Sequence, residues 1–284
     1  MFLSPLLFAA YHNDVALLNH SVIRTLVRLF LLWICLALPS TAMALTPEQQ
    51  GRNIFEEADR RNSGYVDLEV ELQMILRSPR GVANERLLRI KQLEIPDDGD
   101  KVLLVFDSPA DVRGTALLSH AHKEADDDQW VFLPALKRVK KIASKNRGSP
   151  FMGSEFSYEN LSTPELEKYH YRFLDQQMLN GVSCFLVERL PKQTSSAYSK
   201  EHFWIDQDEY RIQQVEYFDS VNRLEKRLVV SQYKRFGNYW KAGRMLMTNL
   251  LSKRSTELLW RNYRFSVGLD ERRDFSVNSI RRAR

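Results

Sequence analysis

Two histidines one residue apart, His120 and His122, come closest in type and spacing to a metal site. Alternate side chains of a β-strand point to the same face, so an H-x-H pair can present two imidazoles to one ion. An acidic run, residues 124–128, follows the pair and could complete such a site, but a run of acids is also typical of a solvated turn. No H-E-x-x-H motif or second histidine cluster accompanies the pair. We therefore predict no metal and no cofactor. The carboxylates that follow the pair are Glu124, Asp126, Asp127 and Asp128.

Other catalytic motifs are absent from the sequence. There is no G-x-S-x-G, P-loop or dinucleotide fingerprint, and His170 and His202 are isolated. We predict that the protein is not an enzyme, and a metal hydrolase built on the H-x-H pair is the weakest of three hypotheses for its function.

A basic stretch raises a different possibility. The aromatic and aliphatic run 130–133 is followed within residues 137–147 by six cations. Basic residues beside aromatic ones can bind nucleic acid, an anionic membrane or an acidic partner, and they can also be the solvated side of a hairpin. The net charge of +5 permits anionic partners without requiring them. The six cations are Lys137, Arg138, Lys140, Lys141, Lys145 and Arg147.

Residues 1–44 have the layout of a secretory signal. Arg24 and Arg28 precede an apolar run, 29–38, that is too short to span a bilayer as a helix, and the small-residue triplet Ala42-Met43-Ala44 follows. We predict cleavage after Ala44 and export to the periplasm, with residues 45–284 as a single domain; the alternative is that the segment remains as an uncleaved anchor. Export argues against a nucleic-acid partner and favours anionic lipid.

Cleavage would remove Cys35 and leave Cys184 without a disulfide partner. Cys184 shares its alternation phase with Val182 and Leu186, so we expect a buried, unreactive thiol.

After the leader, a helix start precedes a long series of strands. Thr46-Pro47-Glu48 has the residues of a capped first turn, and Ile54 and Phe55 supply an apolar stripe. From 68 to 76 apolar and polar residues alternate, as in a strand with one face in water. The short connections require antiparallel hairpins, and only 154–166 offers a second helix. Further strand candidates are 84–95, 101–106, 114–120, 130–133, 136–142, 169–178, 182–190, 200–205, 211–218, 224–236, 239–250 and 255–265.

These strands could form a sandwich, an open curved sheet or a barrel. Strands 182–190 and 255–265 carry large apolar residues on both faces, so each face needs a cover. Helices and an apolar ligand could supply the two covers, and a packed sandwich would give the same pattern. Loop 148–158 combines breakers with large apolar side chains, which suits either a lid on a cavity or a loop folded into its own core.

Two adjoining motifs carry a family resemblance. W-V-F-L-P-A-L-K-R-V-K-K-I at 130–142, followed by G-S-P-F-M-G-S-E-F-S-Y-E-N-L at 148–161, resembles the outer-membrane lipoprotein-sorting protein family, the LolA-like periplasmic proteins often associated with RND/MMPL-type exporters. N-G-V-S-C at 180–184 and F-W-I-D at 203–206 also match the hairpin pattern of that family. The resemblance extends over about residues 46–278.

The resemblance implies a mainly β fold with few helices: a strongly curved antiparallel sheet, the LolA/LolB-like incomplete β-barrel, with a helical plug or lid over an apolar cavity. It implies a monomeric carrier of the acyl chains of lipids or lipoproteins between membranes, with an RND/MMPL-type inner-membrane transporter as partner. It supplies no catalytic residues. The alternative is a periplasmic adaptor or scaffold that docks an exporter through its basic hairpin, residues 130–142.

The predicted site has two parts. Because side chains alternate along a strand, an error of one residue in phase would reverse which of the apolar residues face the cavity. The apolar part, in the cavity or its lid, is Leu68, Val70, Leu72, Trp130, Phe132, Phe151, Met152 and Phe156. The part that contacts anionic headgroups or a partner is Lys137, Arg138, Lys140 and Lys141.

Overall fold

A computed structural model of the protein describes residues 44–282. The predicted signal peptide lies almost entirely outside the described residues. Helix α1 (Pro47–Asn62) begins at Thr46, whose hydroxyl accepts a hydrogen bond from the Gln49 amide at 3.2 Å, while the Gln49 side chain accepts one from the Thr46 amide at 3.0 Å. This reciprocal capping satisfies two otherwise unpaired donors and confirms the predicted helix start. Within residues 44–282, no helix has both the length and the apolar content needed to cross a bilayer.

The rest of the described chain is mainly β-strand. Thirteen strands form one antiparallel sheet, and the remaining two form a separate hairpin. The strands are β1 (Asp67–Arg77), β2 (Ala83–Leu93), β3 (Lys101–Ser108), β4 (Ala116–His120), β5 (Asp128–Leu133), β6 (Arg138–Lys141), β7 (Tyr169–Leu179), β8 (Val182–Pro191), β9 (Lys200–Asp206), β10 (Ile212–Phe218), β11 (Leu224–Ser231), β12 (Lys234–Phe236), β13 (Tyr239–Lys241), β14 (Arg244–Asn249) and β15 (Ser255–Phe265).

The sheet is open, because β6 lies at one edge and β7 at the other. Its order is β6-β5-β4-β3-β2-β1-β15-β14-β11-β10-β9-β8-β7, so every neighbouring pair except β1–β15 and β11–β14 consists of strands that follow one another in the sequence. The mainly β class and the open curved sheet are confirmed, and the sandwich and closed-barrel alternatives are set aside.

Three local predictions differ from the structure. Residues 154–166 form no α-helix but isolated 3-10 turns, because the Ser157 hydroxyl bonds to the Asn160 side chain and backbone and so favours a turn over a helical ladder. Candidate 224–236 divides into β11 and β12, and candidate 239–250 into β13 and β14; in each case the two parts pair with different strands. A second helix, α2 (Glu271–Asp274), occurs instead near the C-terminus.

The two faces of the sheet have different covers. The face carrying Leu68, Val70 and Leu72 packs against α1 and a loop, and we call it the inner face. The opposite, outer face of β2–β5 carries Leu103, Val105 and Leu118, and it packs against Phe275 and Ile280. Both faces of β3 are therefore buried, as its continuous apolar run requires.

Candidate functional site

The inner face holds the larger apolar cluster of the described residues. On β1, Leu68, Val70 and Leu72 are all buried and follow one phase of the strand, so the predicted alternation is correct there. Ile54 and Phe55 of α1 enter the same cluster. The helix approaches unusually closely because Gly51 faces the backbone of β7: a Cβ at Gly51 would lie 2.7 Å from the Phe173 nitrogen.

A segment of irregular backbone, residues 147–168, covers part of this face, and we call it the cap segment. Phe151 is completely buried and Phe156 is 4% exposed, and Met152 packs against the same cluster. The Phe151 ring lies 5.7 Å from that of Phe106 on β3. These side chains fill the space that an open cavity would occupy, so the cap is packed into the core in this structure.

Polar contacts fasten the middle of the cap segment to the sheet. Arg86 on β2 donates a hydrogen bond to the Met152 carbonyl at 2.6 Å. The Glu155 amide donates to the Thr256 hydroxyl at 2.9 Å. Gln129 donates from its side-chain amide to the Tyr158 carbonyl at 2.9 Å. The first two contacts satisfy a carbonyl and an amide that have no partner in regular secondary structure, and the third adds to a bond that the Tyr158 carbonyl accepts from the Leu161 amide.

Both ends of the cap segment meet at one carboxylate. Asp127 is buried, and it accepts a hydrogen bond from Arg147 at 2.5 Å and another from Lys168. The two cations and the carboxylate border a polar cavity of about 20 Å³, which is enough for a single water molecule. Arg147 Nε and the Ser162 hydroxyl, both bordering this cavity, have no hydrogen-bond partner among the described residues. A bound water would satisfy such atoms.

A second buried ion pair lies beneath α1. Arg189 on β8 and Glu201 on β9 are cross-strand partners. The guanidinium also stacks between aromatic rings, 4.0 Å from the centre of Tyr169 and 4.5 Å from that of Phe203. Burial raises the pKa of Glu201, although Arg189 opposes that rise. This part of the inner face is thus polar and aromatic rather than purely aliphatic.

The structure divides the predicted apolar set. Leu68, Val70, Leu72, Phe151, Met152 and Phe156 come together in the inner-face cluster. Trp130 and Phe132 do not join them, because they occupy the other phase of β5, opposite Leu118 and Ala116, and pack against the outer-face cluster. Their neighbour Val131 occupies the inner-face phase of the strand, opposite Leu117.

The basic hairpin forms one edge of the sheet. Lys137, Arg138 and Lys140 are exposed, and none of them has a carboxylate within 4.0 Å among the described residues. Lys141 differs, since its ammonium lies 2.6 Å from Asp128 and 5.6 Å from the centre of the Trp130 ring. Three of the four predicted cations are therefore available to an external anion.

The two histidines of the H-x-H pair have separate partners. His120 makes a hydrogen bond to the Phe275 carbonyl at 2.8 Å, and burial lowers its pKa. His122 is paired with Asp98 at 2.7 Å. Across residues 44–282, no group of three His, Cys, Asp or Glu side chains is arranged to hold a metal ion. His120 instead helps to fasten the C-terminal segment to the sheet.

Cys184 is fully buried, as its strand phase predicts. Burial, reinforced by nearby Asp206, raises the pKa of its thiol to about 11. The thiolate is the reactive form, so this environment suppresses nucleophilic chemistry.

Some of the polar groups that organise the site have no local sequence signal. Asp127 lies in an acidic run whose neighbour Asp126 is exposed, and nothing in the spacing distinguishes the two. Arg189 and Glu201 become partners only through strand register. Phe275 and Ile280 did offer a signal, because they are large apolar residues in an otherwise polar, basic tail.

The arrangement defines a class of protein: an open antiparallel sheet whose inner face is plugged by a helix and a loop, the LolA-like fold. A LolA superfamily protein from Nitrosomonas europaea has this fold, with a TM-score of 0.67 at 17% identity over 83% of this chain and 99% of that one. A DUF1329 family protein from Desulfovibrio piger matches with a TM-score of 0.79 and 26% identity, over 83% of this chain and all of that one.

A more specific relationship follows from a third solved structure. An outer membrane lipoprotein-sorting protein domain from Vibrio parahaemolyticus matches with a TM-score of 0.80 and 43% identity, over 82% of this chain and 99% of that one. A family model described as "Uncharacterized protein" matches residues 98–282. The search of curated proteins gave no match. The chain belongs to the outer-membrane lipoprotein-sorting protein family.

Proposed function

We propose that the protein carries acyl chains of lipids or lipoproteins on its inner face. The observation that carries this proposal is the nature of the inner-face cover. Apolar strand residues are buried by Phe151 and Phe156 on a segment of irregular backbone, not by another layer of sheet. Such a cover can leave without breaking the strand ladder, since the hydrogen bonds of the sheet do not pass through it. Family membership supports the same function.

In this proposal, the apolar side chains of the cap segment occupy the place that the ligand takes when it binds. When the segment moves away, Leu68, Val70 and Leu72 form the floor of a groove and Phe151 and Phe156 line its margin. Uncovering these residues costs free energy, and an acyl chain that replaces the cap recovers about 0.8 kcal/mol for each methylene that it buries. Trp130 and Phe132, on the outer face, have no part in this groove.

Lipid extraction tests the proposal directly. Protein recovered from the periplasmic fraction would be extracted and the extract analysed by mass spectrometry, and the same protein would be mixed with a fluorescent fatty-acyl probe. We expect co-purifying lipid or saturable probe uptake. Repeated recovery of protein without lipid, together with no probe uptake, contradicts the carrier function.

A matched pair of variants tests the role of the cap. Arg86→Met removes the hydrogen bond to the Met152 carbonyl and keeps most of the side-chain volume. Arg89→Met, on the same strand but on the outer face, removes a pair with Asp107 instead. We expect Arg86→Met alone to accelerate probe uptake several-fold, since it frees the cap. Equal uptake rates in the two variants argue against cap opening as the entry step.

We further propose that the carrier works in the periplasm after cleavage of its leader at Ala44. N-terminal sequencing of the protein from fractionated cells should then begin at Leu45. A chain that retains its leader and stays with the inner membrane contradicts this step.

For a membrane partner, we propose an RND/MMPL-type exporter that contacts the basic hairpin. The exposed, unpaired cations of its edge strand support this, because they suit an acidic protein surface. The same feature supports the adaptor alternative. Reversing the charge of Lys137, Arg138 and Lys140 should abolish co-purification with the exporter in both cases. A carrier retains its lipid content in that variant, whereas an adaptor has no lipid to retain.

A further inference from the structure

Three neighbouring hairpins end at the same side of the sheet. They connect β1 to β2, β14 to β15 and β10 to β11, and the six strands involved are consecutive in the sheet order. Their ends are also aligned by register, since Arg77 pairs with both Ala83 and Ser255. On the next strands, Thr248 pairs with Ser255 and Lys226 with Asn249. We call residues 78–82, 250–254 and 219–223 the hairpin tips.

Each hairpin tip carries one exposed aliphatic side chain. Val82 is 62% exposed, Leu251 47% and Val221 74%. Single exposed aliphatics are ordinary on protein surfaces. Here, however, an exposed aliphatic recurs on three consecutive tips. Strands are about 4.8 Å apart, so neighbouring hairpins lie roughly 10 Å from one another. The three side chains thus form a discontinuous apolar row at the rim of the sheet.

Exposed cations accompany the aliphatics within two residues. Arg80 precedes Val82, Lys253 follows Leu251 and Arg223 follows Val221. Among the described residues, Arg80 and Lys253 have no carboxylate within 4.0 Å, while Arg223 is paired with Asp219 at 3.0 Å. Arg254, also exposed, lies 3.1 Å from Glu155. At least two cations of the rim are therefore free to meet an external anion.

The opposite strand ends have the contrary charge. The β2–β3 connection carries Glu94, Asp97, Asp98 and Asp100, and the β9–β10 connection carries Asp208 and Glu209. Cations lie at that side as well: Lys234 and Arg235 of the β12–β13 hairpin are exposed, Arg61 lies 3.6 Å from Glu209, and Lys123 donates a hydrogen bond to the Pro96 carbonyl. The acidic connections at the far side favour an orientation in which the hairpin tips face a negatively charged surface.

We propose that the hairpin tips dock the protein on an anionic phospholipid bilayer, with Val82, Leu251 and Val221 entering the headgroup layer and the neighbouring cations binding lipid phosphates. Aliphatic side chains beside basic residues suit the surface of a bilayer, where negatively charged headgroups lie over an apolar interior. An acidic protein surface would satisfy the cations but leave the aliphatics without a partner. The inference goes beyond cargo binding, since it concerns a different surface from the inner face.

Vesicle sedimentation tests this with the protein expressed from the full chain. The vesicles contain phosphatidylcholine with or without phosphatidylglycerol. We expect binding only with phosphatidylglycerol, and weaker binding at high salt. The triple variant Val82→Ser, Val221→Ser, Leu251→Ser should bind about tenfold more weakly, as expected when three partly inserted aliphatic groups are lost.

A control triple variant changes three aliphatic or methionine side chains of similar exposure that lie outside the hairpin tips. Val66→Ser, Met178→Ser and Val267→Ser change side chains that are 61%, 68% and 38% exposed, and none belongs to a hairpin tip. All variants share the same leader, so a difference between the triples reports on the tips alone. We expect the control triple to bind as the unmodified protein does.

Several outcomes overturn the proposal: no binding of the unmodified protein to phosphatidylglycerol vesicles, unchanged binding in the tip triple, or an equal loss in the control triple. Vesicle binding that depends on Arg80 and Lys253 but not on the aliphatics also overturns it, because the protein is then held at the surface by charge alone. Fatty-acyl probe uptake by the tip triple separates the two proposals. Retained uptake with lost docking supports both proposals. Uptake lost together with docking in a folded tip triple overturns the separate docking surface, and absence of uptake in the unmodified protein contradicts the carrier function.

Discussion

Arg189 and Glu201 face each other across β8 and β9, with Arg189 Nε 2.5 Å from Glu201 Oε2 and both side chains less than 10% exposed. The pair lies where a purely aliphatic lining would be expected. Its charges are compensated by each other and by the rings of Tyr169 and Phe203. Removing one charge leaves the other without that compensation.

We therefore predict that removing one charge costs more stability than removing both. Arg189→Met should lower the free energy of unfolding by about 3–5 kcal/mol, because Glu201 stays buried and unpaired. The double variant Arg189→Met, Glu201→Leu should recover most of that loss. Urea unfolding of the two variants measures both values. A double variant as unstable as the single one would show that the packing of the guanidinium between rings, rather than charge pairing, provides the stability.

A second prediction concerns the carboxylate that joins the two ends of the cap segment. Asp127→Asn should destabilise the fold by about 3 kcal/mol, because Arg147 and Lys168 remain buried without a countercharge. Hydrogen exchange should accelerate within residues 147–168 more than in the strands. Asp126→Asn, at an exposed neighbouring position, is the control and should leave both measurements unchanged. Uniform exchange in Asp127→Asn would mean that the cap does not open as a unit.

The third prediction is that replacing Gly51 by alanine destabilises the protein. Gly51 lies within a helix, where replacement by alanine ordinarily stabilises by about 0.5–1 kcal/mol. Here the new Cβ would lie 2.7 Å from the Phe173 nitrogen and 2.8 Å from the Arg172 backbone, so α1 must shift away from β7. We expect Gly51→Ala to destabilise by about 1–3 kcal/mol in thermal or urea unfolding. A more stable variant would show that the helix is free to move on this strand.

The fourth prediction is a pH dependence. Burial, together with the nearby carboxylate of Asp100, raises the pKa of Glu165 from its usual 4.5 to about 7. Between these values the folded protein binds more protons than the unfolded chain, so stability should fall as the pH rises through this window. Asp100 and Asp59 have raised pKa values as well and act in the same direction.

Glu165→Gln should reduce this loss of stability without abolishing it. Urea midpoints at both ends of the window measure the effect, with Glu124→Gln, at an exposed site, as the control. If stability rises with pH in the unmodified protein across this window, the assignment of Glu165 is wrong.

Local structure was largely predictable from the sequence. The alternation of β1 placed Leu68, Val70 and Leu72 on one face, and the Asn180-Gly181 pair marked the turn between β7 and β8, where both residues have positive φ. These features depend on neighbours along the chain: side-chain period in one case, and the backbone conformation that glycine and asparagine tolerate in the other.

Longer-range features were not predictable. The phase of β5, which sends Trp130 to the outer face, depends on the register with β4, and both phases of the strand carry apolar residues. The cap segment lacked a regular helix because Ser157 and Asn160 bond to each other. The cover of the outer face comes from Phe275 and Ile280, which are remote in sequence from the strands that they protect.

The pairing of β1 with β15 has a consequence for how the protein is made. Gln73 and Arg261, side-chain partners across this junction, are 188 residues apart. One edge of β1 pairs with β2, but the other stays unpaired until β15 has been synthesised, and closing so long a loop slows folding. Until then that edge of β1 is open, and an unpaired strand edge is a place where a strand of another chain can add.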